Sequence, residues 1–488
     1  MNFYNKSWIH HCEKFNYPEF PFNPSAQFEE LPLHEASPDN HIFGAVRSLL
    51  NELGLNNEKF GKKKWNPIGD LVDKGSKICI KPNYVIDRNS KNGDIESVIT
   101  HTAVLRPIIE YSLIAVGENG KVIVADTPQM DCKWEELMKV TKLNLLQNYL
   151  KDIYSYTFDI VDCRPFEINN INKDYTIDNR CHKNGDPSGS ITLDLGNLSM
   201  LSKVGQCKYY GADYNTEETN EMHSGNRHIY QLGKTFMDAD LLISVPKLKT
   251  HKKVGVTINC KGFVGLNTNK NCLVHYRLGS AHENGDQFPA YIENSSKRLI
   301  KIERFFQELL LSDESNFKTN VYHFLKKCFK FIFKHKLKSS KFRYFDGGNW
   351  SGNDSAWRMT SDLAYIIKEK FKFDRTKKEK SFMTLVDGVI GGELEGPLRP
   401  DGVKSNSLIA GFDPFFVDIV STILMGFDYT KIKYLNPRNN TNMDLTQENI
   451  DVGEVYLNGN KHSMEQFSKT IRNHVKPFKA HAGWDEIS

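Results

Sequence analysis

Residues 77–126 read KICIKPNYVIDRNSKNGDIESVITHTAVLRPIIEYSLIAVGENGKVIVAD, and three pieces of this stretch set the fold. Lys77–Ile80 has the length and apolar content of a strand and stops at Lys81-Pro82-Asn83. Val104–Val116 is apolar at helical spacing, with Pro107 in the first turn, where a missing N–H is harmless. Lys121–Ala125 is a second strand and ends at Asp126. Strand, helix, strand at this spacing is a βαβ unit, which requires parallel strands. The expected class is therefore α/β, a mostly parallel sheet with helices on both faces. Ligands of such sheets collect outside the carboxyl ends of the strands. Lys81, Asn83 and Asp126 fall there.

Downstream, the apolar run Leu241–Val245 leads into Pro246-Lys247-Leu248-Lys249-Thr250-His251-Lys252-Lys253, and Val254–Ile258 is a further strand. Lys247, Lys249 and His251 share one side of an extended chain. No acid occurs from Leu241 to Ala281, whereas Lys261, Lys270, His275 and Arg277 do. Such a concentration of donors suits an anion: phosphate, carboxylate or a developing oxyanion. A basic surface hairpin is the plainer alternative. Cations near His251 disfavour imidazolium and keep the ring neutral, as a general base or ligand requires. Otherwise it hydrogen-bonds its own loop. His101, at a helix start, is a second catalytic candidate or a cap.

Val386–Pro397 is a strand running into a glycine-rich loop with three acids. Asp387 and Glu393 from this loop, with Asp126, are candidate ligands for a hard divalent metal; a plain turn is the alternative. The loop has neither Walker spacing nor a dinucleotide fingerprint, so no nicotinamide or flavin site is read. In Gly347–Arg358, the Trp357–Arg358 pair suits a sugar face with a carboxylate or hydroxyl, and Asp354 a helix cap.

The 64 basic and 60 acidic residues leave a net charge of +4, so bulk nucleic-acid binding is not indicated. Nine scattered cysteines with no C-x-x-C pair argue against an iron–sulfur cluster and fit a reducing compartment. A mean hydropathy of −0.51, no apolar leader and no transmembrane-length run point to the cytoplasm.

Length suggests two associated lobes, 41–300 and 344–488. An irregular proline-bearing arm (1–40) precedes them, 151–230 forms a β-rich antiparallel insertion, and 301–343 a basic helical excursion. The part 318–343, with nine Lys or Arg and no acid, reads as a solvated basic face or a membrane-surface helix. Oligomeric state is not legible.

Several ordered motifs resemble domain-of-unknown-function family 362: Val245–His251 with Lys261–Gly265, Lys81–Asn83, Thr100-His101, Ala125–Pro128, Val386–Gly388 and Ala410–Asp418. The likeness runs from about Asn40 to Gly426. This chain has Lys261-Gly262 where many members have Lys-Asn, and it lacks the ferredoxin-like cysteine cluster of the iron–sulfur forms. The donor-rich strand ends make an enzyme of this family's type, acting on a small anionic metabolite, the leading expectation. Catalytic candidates are His251, Lys247 and His101; binding candidates are Lys81, Asn83, Lys249, Lys261, His275, Arg277, Trp357 and Arg358. The tryptophan segment suggests a sugar or nucleotide-sugar of cell-surface polysaccharide assembly. Two alternatives stay open: a non-catalytic binder of a phosphorylated ligand, and an isomerase or racemase using His101 and His251.

Overall fold

The computed structural model describes residues 5–168, 180–205, 207–211, 215–291, 345–371, 380–439 and 452–487, with isolated positions between 298 and 328. Eleven strands form one sheet. They are β1 (Lys6–His11), β2 (Lys77–Pro82), β3 (Lys121–Asp126), β4 (Asp159–Asp162), β5 (Leu241–Val245), β6 (Lys247–His251), β7 (Gly255–Thr257), β8 (Ser381–Glu395), β9 (Arg399–Gly411), β10 (Glu454–Leu457) and β11 (Asn460–Ser463). Their order is β11-β10-β1-β9-β8-β5-β2-β3-β4, with β6 beside β8 and β7 beside β6. From β8 across to β4 every pairing is parallel. The β8–β9 and β9–β1 pairings are antiparallel.

Successive strand residues face opposite ways. Ile78, Ile80, Val122, Val124, Leu241 and Ile243 enter one core with helices α1 (His41–Glu52) and α2 (Thr102–Val116). Cys79, Ile123 and Leu242 enter the other, with α3 (Ala356–Lys370) and α4 (Pro414–Leu424). Helices on both faces explain why the central strands are apolar throughout rather than alternating. The two expected lobes share this sheet: β2 and β5 come from the first, β8 and β9 from the second.

Helix α2 begins two residues before its expected start because His101 caps it, so Pro107 lies in the second turn. The helix is buried almost throughout, and its Arg106 is satisfied internally. Nε donates to Glu110 Oε1 at 2.6 Å, and Nη1 to Asn23 Oδ1 at 2.6 Å. That second bond fastens the arm to the core. The arm is less irregular than expected, since β1 sits within the sheet between β9 and β10.

The antiparallel insertion starts after β4. Phe166–Ile168 pairs with Arg180–His182, Ser190–Asp194 with Arg227–Gly233, and Tyr209–Tyr210 with Tyr276–Arg277. The basic segment 318–343 lies almost wholly outside the described residues. No helix among those described is long and apolar enough to cross a membrane.

Candidate functional site

At the carboxyl ends of β2, β3 and β6 a cavity of about 370 Å³ opens, large enough for a small metabolite. Six lysines line it (Lys81, Lys249, Lys252, Lys253, Lys261, Lys270) against three aspartates (Asp126, Asp131, Asp346). Asn83, Thr127, Gln129, His251, Thr257, His275 and Asn349 add to the polar wall. Lys81, Asn83, Lys249, His251, Lys261, His275 and Asp126 thus meet, though they are drawn from positions 81 to 275.

Most of these cations are anchored. Lys81 Nζ donates to Asp126 Oδ1 at 3.0 Å and to the Pro82 carbonyl at 2.9 Å. Asp126 also accepts the N–H groups of Thr127 and Tyr84 at 2.8 and 2.6 Å, so it is a saturated anchor. Lys270 Nζ donates to the Thr127 carbonyl at 2.7 Å, and Lys249 Nζ to the Val98 carbonyl. Lys253 donates to the Gly347 carbonyl. The Lys261 ammonium makes no hydrogen bond or ion pair with any described residue, although the residue is only 7% exposed. Burial lowers the Lys261 pKa to about 8. It lowers Lys270 to about 7 and holds Lys249, which also faces Lys247 and Lys261, well below an ordinary lysine. An anion entering here gains charge-assisted partners and raises their proton affinity. The hydroxyls of Thr127 and Thr257 are buried without a partner among the described residues, as ligand contacts in waiting would be.

The two histidines differ in tautomer. His251 Nδ1 accepts the Lys253 N–H at 3.0 Å, so a neutral His251 carries its proton on Nε2. His275 Nδ1 lies 3.0 Å from the Leu273 carbonyl and must be the donor, which leaves Nε2 with a lone pair. Burial, reinforced by neighbouring lysines, holds both rings well below the usual histidine pKa and therefore neutral. His251 is accordingly a hydrogen-bond donor rather than the base expected from sequence. His275 supplies the lone pair.

The remaining candidates lie elsewhere. Lys247 and Asp387, both with fully buried side chains, pair at 3.0 Å and do not line the cavity. Asp387 also accepts the Tyr17 hydroxyl at 2.6 Å and the His101 N–H at 2.9 Å. His101 itself caps α2 through Nδ1, stacks on Tyr17 at 3.9 Å and stays outside the cavity, so it does not flank a carbon with His251. Burial and the nearby Lys247 lower its pKa to about 3. Glu393 accepts the Lys479 N–H at 2.8 Å and is likewise outside. Asp126, Asp387 and Glu393 therefore do not converge, and the described residues contain no group of three His, Cys, Asp or Glu placed to hold a metal.

Arg277, Trp357 and Arg358 gather instead around Asp354. Arg277 reaches its Oδ2 at 3.3 Å, Arg358 at 3.1 Å, and Trp357 Nε1 donates to Oδ1 at 2.9 Å. Asp354 is an ion-pair partner, not the cap of α3; Asn353 Oδ1 accepts the Ser355 and Ala356 N–H groups. Sequence reading gave no catalytic weight to Lys270, although it lies in the acid-free stretch, and missed the cavity role of Thr257. Tyr17 carried no signal at all, because its hydrogen-bond partners Lys247 and Asp387 are hundreds of residues away.

Gly265 shows how closely the cavity floor is fitted. A Cβ there would lie 2.4 Å from Asp126 Oδ1 and 2.7 Å from Lys81 Nζ. Gly265→Ala should push this pair apart; if the cavity takes phosphate, the variant should bind it on the order of tenfold more weakly, about 1.4 kcal/mol. Gly44→Ala on α1, outside the cavity and with a Cβ that would meet nothing within 4 Å, is the control. Calorimetric titration of both variants checks this; equal affinities would remove Lys81 from the binding surface.

Fold and cavity together define an α/β protein with a cationic pocket at the carboxyl edge of its parallel strands. The chain belongs to the family described as Domain of unknown function (DUF362), whose pattern matches residues 175–422. No protein of curated function matches it. The crystal structure of a protein from Thermotoga maritima aligns at 10% identity with a TM-score of 0.27, over 82% of this chain and 59% of that one. The chain thus spans about 59% of that protein's length.

Proposed function

We propose that this protein is an enzyme that binds a small carboxylate or phosphate metabolite and moves a proton on it. The observation that carries this is the pairing of tautomers in one cationic pocket: His251 presents an N–H and His275 a lone pair. Lys81, Lys249 and Lys270 would hold the anionic group, His251 would donate to an oxygen that gains charge, and His275 would take the proton. The non-catalytic binder explains the lysines but gives the two opposed tautomers no task. An isomerase remains the natural second reading, with His275 rather than His101 as the base. The sugar and polysaccharide expectation loses its support, since Trp357 and Arg358 are engaged with Asp354 outside the pocket.

Titration with inorganic phosphate in two buffers of different ionisation enthalpy tests the binding half. Binding should take up protons near pH 7.5, because Lys249, Lys261 and Lys270 are held below the ordinary lysine value. Lys249→Met should weaken it by about 2 kcal/mol, roughly thirtyfold. For catalysis, small carboxylates are incubated with the protein in D2O and followed by NMR. Exchange of a carbon-bound proton that His275→Gln abolishes supports the enzyme; phosphate binding with no exchange across a broad set favours the binder.

A further inference from the structure

We infer that Lys261 condenses with a carbonyl group, so that the ligand class is a 2-oxo acid held as an iminium. This rests on the anion-binding reading above and deepens it.

Three features single out Lys261. It lines the cavity on the short helix Asn259–Gly262, directly after β7. Its ammonium is unengaged among the described residues, whereas the ammonium groups of Lys81, Lys249, Lys253 and Lys270 are each tied to a carboxylate or carbonyl. Its backbone is nonetheless fixed, because Asp418 accepts the Asn259 N–H at 2.9 Å and the Cys260 N–H at 3.0 Å from α4. A rigid base under an unanchored amine is what a nucleophile needs and what an anion clamp does not. Burial without a counter-ion, which brings its pKa to about 8, leaves an appreciable fraction of free amine at neutral pH.

The neighbours fit the chemistry. Lys261 is close enough for its charge to act on His251, His275 and Lys249. Lys261 lines the same cavity as the anchored lysines, so a carboxylate held by them would bring its adjacent carbonyl to Lys261. The Lys261 ammonium gives one proton to His275 Nε2, and the freed lone pair forms the N–C bond as the C=O π pair moves onto oxygen. His251 Nε2–H donates a hydrogen bond to that oxygen. Two protons remain on nitrogen: one stays in the iminium, while the other and the one held by His275 pass to the oxygen. The C–O bond then breaks and the oxygen leaves as water. No oxidant or co-reactant is required, and the iminium acidifies the neighbouring C–H bond, consistent with proton transfer at this site.

The test is reductive trapping of the full chain with pyruvate and sodium borohydride, read by peptide mass spectrometry. The expected result is a reduced pyruvate adduct on Lys261, suppressed by saturating phosphate and lost to background in Lys261→Met. His275→Gln should slow its formation about a hundredfold without preventing phosphate binding. If phosphate and pyruvate bind but no adduct forms, or the adduct sits on another lysine, the condensation is overturned while the anion site stands. If neither anion binds, both readings fall. Lys261→Met is predicted to fold, so a lost adduct cannot be put down to a lost structure; its phosphate binding is measured alongside.

Discussion

Asp387→Ala should lower the stability of the chain by about 3–5 kcal/mol, the usual result of removing one partner from a buried ion pair. All four bonds to the carboxylate are internal. Oδ2 accepts Lys247 Nζ at 3.0 Å and the His101 N–H at 2.9 Å, while Oδ1 accepts the Tyr17 hydroxyl at 2.6 Å and the Val389 N–H at 3.3 Å. Burial already draws Lys247 below the ordinary lysine pKa, with Asp387 acting against that pull. Without Asp387 the ammonium keeps, among the described residues, only the Tyr17 hydroxyl, at 2.7 Å. Set against a typical total of about 5–15 kcal/mol, this is a large fraction. Urea unfolding measures it. A loss below about 1 kcal/mol would mean that water reaches Lys247. The double change Lys247→Met with Asp387→Leu should recover most of the loss, because burying neither charge avoids the desolvation of both.

Lys261→Met is expected to act in the opposite direction and stabilise the protein by about 3 kcal/mol at pH 7. The folded chain holds this lysine near pKa 8, against 10.5 for an unperturbed one, so the unfolded chain binds the proton more tightly. Falling pH therefore weakens the native state between about 10.5 and 8, and below that window the penalty is constant. Methionine carries no proton and removes the penalty. The advantage of the variant should shrink to under about 1 kcal/mol at pH 10, where both states of the wild type hold fewer protons. Denaturant midpoints at the two pH values give the comparison. A pH-independent difference would point to packing rather than charge. Stability gained by deleting a functional group marks a site that is strained for its task.

The strands and helices around the site were legible because their patterns are local. β2, α2 and β3 follow from apolar runs of the right length, and strand ends in a parallel sheet place Lys81, Asn83 and Asp126 without further information. The acid-free stretch likewise brought Lys249, His251, Lys261 and His275 into one cavity. What the sequence concealed is orientation. Lys247 and Lys249 share a strand and a side, yet Lys247 is claimed by Asp387 on β8 and Lys249 reaches the cavity. Trp357 and Arg358 look like ligand contacts until Asp354 is seen to satisfy them. The protonated nitrogen of each histidine depends on a single backbone group, Lys253 N–H or Leu273 C=O, and no spacing rule encodes that.

The position of β1 has a consequence for how the chain reaches its native state. Ser7 pairs with Gly411 on one side and with Val455 on the other. During vectorial synthesis the first strand is made hundreds of residues before either partner and must wait with both edges unpaired. Long-range pairings of this kind raise contact order and slow folding. The early residues of the arm thus act as the last closing element of the sheet, and the interval before closure is when the nascent chain is most exposed to edge-to-edge aggregation.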